Sequence, residues 1–315
     1  ILYISHKLHE IRELCTACTV LRGGKVTGTC NPQVETNESL SRLMIGAEPP
    51  ALPPRAHNNG GVVLKVTQLN LPALDHFGTH LDGINFEVRA GEIVGIAGVS
   101  GNGQAELVRA LSGEDVRAST ASITLSGLDM AQLLPMRRRE LGVHLVPEER
   151  LGRGAVPAVD LAHNLLLTRD EAVGPSGWIN GPTLLAQASE IIRTFGVKAG
   201  GPKAAAQSLS GGNLQKFIVG REIGANPKML IVSQPTWGVD VGAAAQIRTA
   251  ILALRDAGCA VLLISEELDE LFELSDRLLV IAKGHISPSL NRADASVEVV
   301  GAWMSGLWTT EANHV

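Results

Sequence analysis

The sequence has no block of lysine and arginine: 27 Lys+Arg stand against 32 Asp+Glu, for a net charge of −5 over 315 residues. Nucleic-acid binders show clustered cations, so this absence argues against DNA or RNA as a partner. Long apolar runs are missing as well; residues 259–264 are among the longest, far short of the roughly 20 that cross a bilayer. No secretory signal is visible at the amino end. Cysteine is scarce, with Cys15, Cys18, Cys30 and Cys259 only, which fits a reducing compartment better than a disulfide framework. Cys15 and Cys18 have the C-x-x-C spacing of redox and metal sites. No second pair lies nearby, however, and the repeat described below places Ser275 and Leu278 at the matching positions.

One further absence is chemical. The stretch GEIVGIAGVSGNGQAEL, residues 91–107, has an apolar run, a glycine turn (Gly98, Gly101, Gly103) and then a helix expected from Gln104. That is the order of a phosphate-cradling loop, G-x-x-x-x-G-K-[ST], in which Lys reaches the phosphates and the hydroxyl ligates Mg²⁺. The Gly98 to Gly103 spacing is kept, but Gln104 stands where Lys belongs and Ala105 where Ser or Thr belongs.

What is present is ordinary in amount, with 45% hydrophobic and 19% charged residues, enough for a large core and more than one domain. It is also repeated. Residues 1–26, ILYISHKLHEIRELCTACTVLRGGKV, match residues 261–286, VLLISEELDELFELSDRLLVIAKGHI, at a constant offset of 260, with nine of 26 positions identical. Both copies read as strand, helix, then a strand ending in a glycine turn. The expectation is that residues 1–46 are the end of a first domain copy, 47–61 a linker rich in Pro, Gly and Asn, 62–290 a complete second copy, and 291–315 a tail without a legible motif. Within the second copy, apolar runs such as MLIVS and AVLLIS alternate with a helix-like stretch, which indicates a parallel α/β core. MRRRELG, residues 136–142, reads as a solvated helix face.

Four stretches in order carry a resemblance. LSGGNLQK (209–216) resembles the signature motif of ATP-binding cassette (ABC) proteins, and MLIVSQPTWGVD (229–240) their Walker B strand and D-loop. LISEELDE (263–270) falls at the switch-histidine position and GVSGNGQAEL at the P-loop. The likeness covers about residues 62–288. It is nearest to the double-cassette ATPase subunits of bacterial monosaccharide and nucleoside importers, whose second cassettes share the P-E-x-R stretch (Pro147, Glu148, Glu149, Arg150) and P-T-x-G-[VL]-D. SQPT, with Gln234 before Pro235, is most like the nucleoside branch, although an Arg is usual there where Trp237 stands.

The resemblance implies a P-loop NTPase fold: a parallel sheet, an antiparallel β subdomain and a helical subdomain at about residues 126–212. It implies ATP as ligand, with Mg²⁺ at a competent site, and nucleotide contacts from Gly98, Ser100, Gly101, Asn102, Gly103, Gln104, Ala105, Glu148 (in place of the Q-loop Gln), Ser210, Gly211, Gly212, Asn213 and Asp240. At this loop both Mg²⁺ ligands are replaced, by Ala105 and by Ser233 in the Walker B position, so metal binding is expected to be weak or absent. Gln234 replaces the glutamate that would polarise water, and an amide takes no proton at neutral pH. Glu266 replaces the switch His and adds negative charge near a γ-phosphate, although it and Glu267 also suit a solvated helix start. The first copy keeps ISHK. Alone, His6 reads as a surface histidine; within the repeat it reads as the switch residue of an intact site.

Hydrolysis at the second site is therefore expected to be very slow, with Ser210, Gly211 and Gly212 closing over the nucleotide of the first cassette. By the same resemblance, the partners are membrane permease subunits, the upstream first cassette and, indirectly, an extracytoplasmic solute-binding protein. The place is peripheral, on the cytoplasmic face of the bacterial inner membrane. Two other readings are a tandem cassette protein acting on ribosomes or nucleic acid, and a regulatory nucleotide-binding module without catalysis.

Overall fold

A computed structural model describes residues 1–5, 8–22, 24–36, 39–40, 42–43, 60–169 and 178–308. His6 and residues 47–59 of the expected linker lie outside the described residues.

The chain opens with helix α1 (Leu8–Leu14) and a hairpin of β1 (Cys18–Arg22) and β2 (Lys25–Cys30). Strands β3 (Val62–Leu71) and β4 (Leu81–Arg89) pair antiparallel, and β5 (Ile93–Ala97) leads into α2 (Gln104–Ser112). β6 (Ile123–Leu125), β7 (Leu128–Asp129), α3 (Pro135–Glu140) and β8 (Val143–Val146) follow. The helical part is α4 (Leu161–Asn164), α5 (Gly181–Thr194) and α6 (Gly211–Ile223). β9 (Met229–Ser233), α7 (Val241–Asp256), β10 (Ala260–Ser265), α8 (Leu268–Leu274), β11 (Arg277–Ala282), β12 (His285–Ile286), β13 (Leu290–Asn291) and α9 (Val297–Met304) complete the chain.

The main sheet runs β12, β11, β5, β10, β9, β8, with β13 beside β11; β11, β5, β10, β9 and β8 are mutually parallel. Every residue of β5, β8, β9 and β10 is buried, as a sheet covered on both faces requires. Alternate residues feed two cores. Ile93, Leu230, Val232, Val261 and Leu263 pack with the helices, while Val94, Ile96, Met229, Ile231 and Leu262 pack with α2 and the antiparallel sheet β4, β3, β6, β7. This is the α/β class with parallel sheet, antiparallel β layer and helical part that the resemblance implied.

The repeat reappears as structure. α1 and α8 occupy the same seven positions at the 260-residue offset, and the glycines closing the following hairpins, Gly24 and Gly284, have φ of 76° and 77°. Even one hydrogen bond recurs, from the Ser5 hydroxyl to Glu10 and from the Ser265 hydroxyl to Glu270, each 2.8 Å.

Three sequence expectations change. Residues 126–212 are not uniformly helical, because they contain β7 and the core strand β8. A four-residue run such as Val143–Val146, interrupted by His144, is too short to show a period of its own. Residues 291–308 do not stand apart either: Val300 is fully buried in the helix-side core, with Trp303, Met304 and Trp308 packed against it. MRRRELG is not a solvated face throughout. Arg138 is 1% exposed and donates to the carbonyls of Ala110, Leu111, Leu133 and Ala131. A helix leaves its last carbonyls unbonded, and at the end of α2 this guanidinium satisfies two of them. Burial lowers its pKa to about 10.

Candidate functional site

Five parallel strands end on one edge of the sheet. After β5 comes the glycine loop, after β9 Gln234, after β10 Glu266, after β8 Pro147 and Glu148, and after β11 Lys283 and Gly284. Ligands of open α/β sheets bind outside the carboxyl ends of the strands, and the expected residues 98, 100–105, 148, 233, 234 and 266 are gathered there.

The loop uses glycine where the backbone demands it: Gly101 and Gly103 have φ of 82° and 112°. Gln104, the first residue of α2, folds back across it. Its Nε2 donates to the Val99 carbonyl at 2.9 Å and its Oε1 accepts from the Asn102 N–H at 3.0 Å. Gly98 makes room for this amide, since a Cβ there would stand 2.5 Å from Gln104 Nε2. Asn102 ties the loop to the β11–β12 turn, its Oδ1 accepting from the Lys283 N–H at 2.7 Å and its carbonyl from the Gly284 N–H at 3.0 Å. The side chain in the lysine position thus braces the loop and engages one of its N–H groups.

Gln234 is 7% exposed and sits at φ 50°, a left-handed value that a non-glycine residue keeps only when its surroundings impose it. Its N–H donates to the Ile264 carbonyl at 2.8 Å, and its Oε1 accepts from the Glu266 N–H at 3.3 Å. Glu148 and Glu266 bring negative charge to the mouth of the site. Burial raises the Glu148 carboxyl above the ordinary range, and the charges of Glu149 and Glu266 push it the same way. The donors do not fit a magnesium ion, which takes oxygen ligands: Ala105 offers a methyl group and Ser233 a single buried hydroxyl. Among the described residues no group of three or more His, Cys, Asp or Glu is placed to hold a metal.

A second group lies at the junction of α6 and α7. Ser210 precedes α6, its hydroxyl accepting from Asn213 Nδ2 at 2.8 Å, and the Asp240 carboxylate caps α7 by accepting the Ala243 N–H at 2.9 Å. Gly212 lets the two helices meet, since a Cβ there would lie 3.3 Å from that of Ala243 and 3.5 Å from Asp240 Oδ2.

The structure adds residues that motif reading missed. Thr79 donates its hydroxyl to the Gly101 carbonyl at 2.7 Å and its N–H to Glu106 at 3.2 Å, tying the loop that bears Phe77, a 99% exposed ring, to the glycine loop. Nothing in the sequence marks residues 72–80. Glu270, within LISEELDE, is a second such residue. It is 1% exposed, accepts from Thr236 Oγ1 at 2.6 Å and from Ser265 Oγ at 2.8 Å, and burial raises its pKa.

A parallel sheet with this glycine loop at its carboxyl edge defines the class: an α/β P-loop nucleotide-binding domain. The ABC transporter family pattern matches residues 81–237. The chain is 38% identical over 309 residues to the nucleoside import ATP-binding protein NupA of Lactococcus lactis, spanning 97% of this chain and 61% of that protein. It is 36% identical over 308 residues to the ribose import ATP-binding protein RbsA of Bacillus licheniformis, with 97% and 61% covered. The chain therefore belongs to the ABC transporter ATPase family, and spans about three-fifths of the length of these relatives. In fold it is similar to a nucleotide-free ATP-binding cassette from an ABC transporter, with a TM-score of 0.63, 22% identity, and 77% of this chain and 96% of that one covered.

Proposed function

We propose that the chain is part of the energy-coupling ATPase subunit of a bacterial importer for simple sugars or nucleosides, and that its own glycine-loop site is the degenerate one of two. On this reading the loop holds ATP or ADP through backbone N–H groups and the start of α2, and hardly hydrolyses it. Ser210, Gly211 and Gly212 close over the nucleotide of the preceding cassette, whose switch residue is His6. Mg²⁺ belongs to that competent site. ATP-driven closure and reopening then act on permease subunits from the cytoplasmic face of the membrane, with a solute-binding protein delivering cargo outside. Among the described residues no helix is long and apolar enough to cross a membrane. The cargo class follows the names of relatives, which include import proteins for nucleosides, ribose, glucose and xylose.

One observation carries the reading: the frame of the site is kept while the side chains at two reactive positions, Gln104 and Gln234, are turned to structural use. Gln104 braces the loop, and Gln234 accepts from the Glu266 N–H. A charge-assisted hydrogen bond contributes about 1.5–3 kcal/mol against about 0.5–1.5 for a neutral one, so the amide grips phosphate less than an ammonium would. The net charge of −5 counts against the ribosome or nucleic-acid alternative.

The test is titration of this chain with a fluorescent ATP analogue, with and without Mg²⁺, beside a phosphate-release assay. Micromolar binding with little Mg²⁺ dependence and no phosphate release is expected. Brisk Mg²⁺-dependent release would remove the degenerate-site reading.

A further inference from the structure

The loop after β8 carries an arginine without an acid. Arg150 is partly buried and forms no ion pair among the described residues, and burial alone lowers its pKa. Its neighbour Arg153 pairs with Glu114 at 2.9 Å and Glu149 at 3.1 Å. Arg150 turns the other way. Its Nε donates to Gln215 Oε1 at 3.2 Å and its Nη2 donates to the Trp237 carbonyl. Gln215, on α6, is 1% exposed, and its Nε2 has no hydrogen-bond partner among the described residues. Trp237 lies in the turn between β9 and α7. The guanidinium also lies against the first residue of α6: a Cβ on Gly211 would stand 2.6 Å from Nη1, and one on Gly238, at φ 62°, 3.8 Å from Nη2. One side chain thus joins three segments, and its guanidinium is the nearest group that a Cβ at position 211 would meet.

A cation beside a helix N-terminus opposes the helix dipole, and partial desolvation without a counter-ion adds to that cost. A planar fork that donates to two different segments at once compensates for both, and the single ammonium of lysine does not reproduce that geometry. We infer that Arg150 is a positioning residue that locks residues 210–212 and the 237–240 turn into one surface and makes them move with the loop after β8. The inference rests on the reading that this surface closes over a nucleotide held by the other cassette. Motion imposed on residues 147–153 then reaches the distant nucleotide through one guanidinium.

The test combines two measurements on Arg150→Ala, Arg150→Lys and the control Arg153→Ala. One is amide hydrogen exchange of the 315-residue chain; the other is ATP turnover of the assembled transporter carrying the same changes. Arg150→Ala is expected to lose protection in residues 209–216 and 235–240, Arg150→Lys to keep part of it, and Arg153→Ala to keep it all. A misplacement of this kind lowers kcat by about tenfold or more, with KM for ATP little changed. Unchanged protection in both segments of Arg150→Ala overturns the inference, whatever turnover does. So does protection loss that spreads through β9 and β10, which marks an arginine needed for the whole fold, and so does intact turnover despite local loss. A wild-type assembly without turnover would instead defeat the functional reading, while the exchange result still decides whether Arg150 holds the two segments.

Discussion

Gln104 shows how one residue redirects a site. Its amide bonds the Val99 carbonyl and the Asn102 N–H, so a phosphate entering the loop must compete with a side chain already seated there. Gln104→Lys replaces a neutral donor by a charged one and is expected to tighten nucleotide binding about tenfold, the equivalent of about 1.4 kcal/mol, in the same fluorescent titration. Phosphate release should stay absent because Gln234 still accepts no proton; if release appears with this single change, the missing base is not what limits the site. Glu148 gives a pH dependence of stated sign. Its pKa is raised by burial, then by Glu149 and Glu266, with Arg153 opposing. It therefore takes up a proton at a higher pH than an ordinary glutamate, which removes negative charge from the mouth of the glycine-loop site. Nucleotide affinity is expected to rise as pH falls from neutral into the acid range, and Glu148→Gln should flatten that rise. An affinity that stays flat or falls would place Glu148 away from the nucleotide.

Among the elements, α6 depends on a buried ion cluster. Glu222 is fully buried between Arg221 Nε at 2.7 Å, His144 Nδ1 at 3.0 Å and Arg139 Nη1 at 3.4 Å, and Arg221 also donates to the Asn164 carbonyl. The cluster fastens α6 to β8 and α4. Burial works against ionisation of Glu222, but the charges of Arg221, His144 and Arg139 prevail and lower its pKa from 4.5 to about 2. Removing one partner of a buried pair costs about 3–5 kcal/mol because the other charge is left uncompensated. Glu222→Ala should show that loss in a urea melt. A depressed carboxylate adds stability that is complete above its unfolded pKa and is lost as pH falls through the folded value. Stability should therefore decline between about pH 4.5 and pH 2, and the decline should be shallower in Glu222→Gln. Equal slopes in both proteins would assign the acid sensitivity to other carboxylates.

For the whole molecule, the two cores on opposite faces of one sheet make the C-terminal segment part of the body. Val300 has 0% exposure and lies in the same cluster as Ile247, Val261 and Leu274. Val300→Asp places an unpaired charge there and is expected to cost about 3 kcal/mol or more, read as a shift of the denaturant midpoint. A change within experimental error would mean that α9 detaches without disturbing the core.

Much of this was legible along the chain. The glycine loop, LSGGN, the apolar strands and the 260-residue repeat are local patterns, each set by the conformational needs of a few consecutive residues, so the class of fold and the replaced positions Gln104, Ala105, Ser233, Gln234 and Glu266 are written in the sequence itself. What only the tertiary structure decided are contacts between residues far apart in the chain: Arg138 on the end of α2, Arg150 against α6 and the Trp237 carbonyl, and Thr79 on the glycine loop. An arginine reads as solvated or buried according to which carbonyls the fold brings within reach of its guanidinium, and that proximity comes from the packing of the sheet and helices, which no short stretch of sequence encodes.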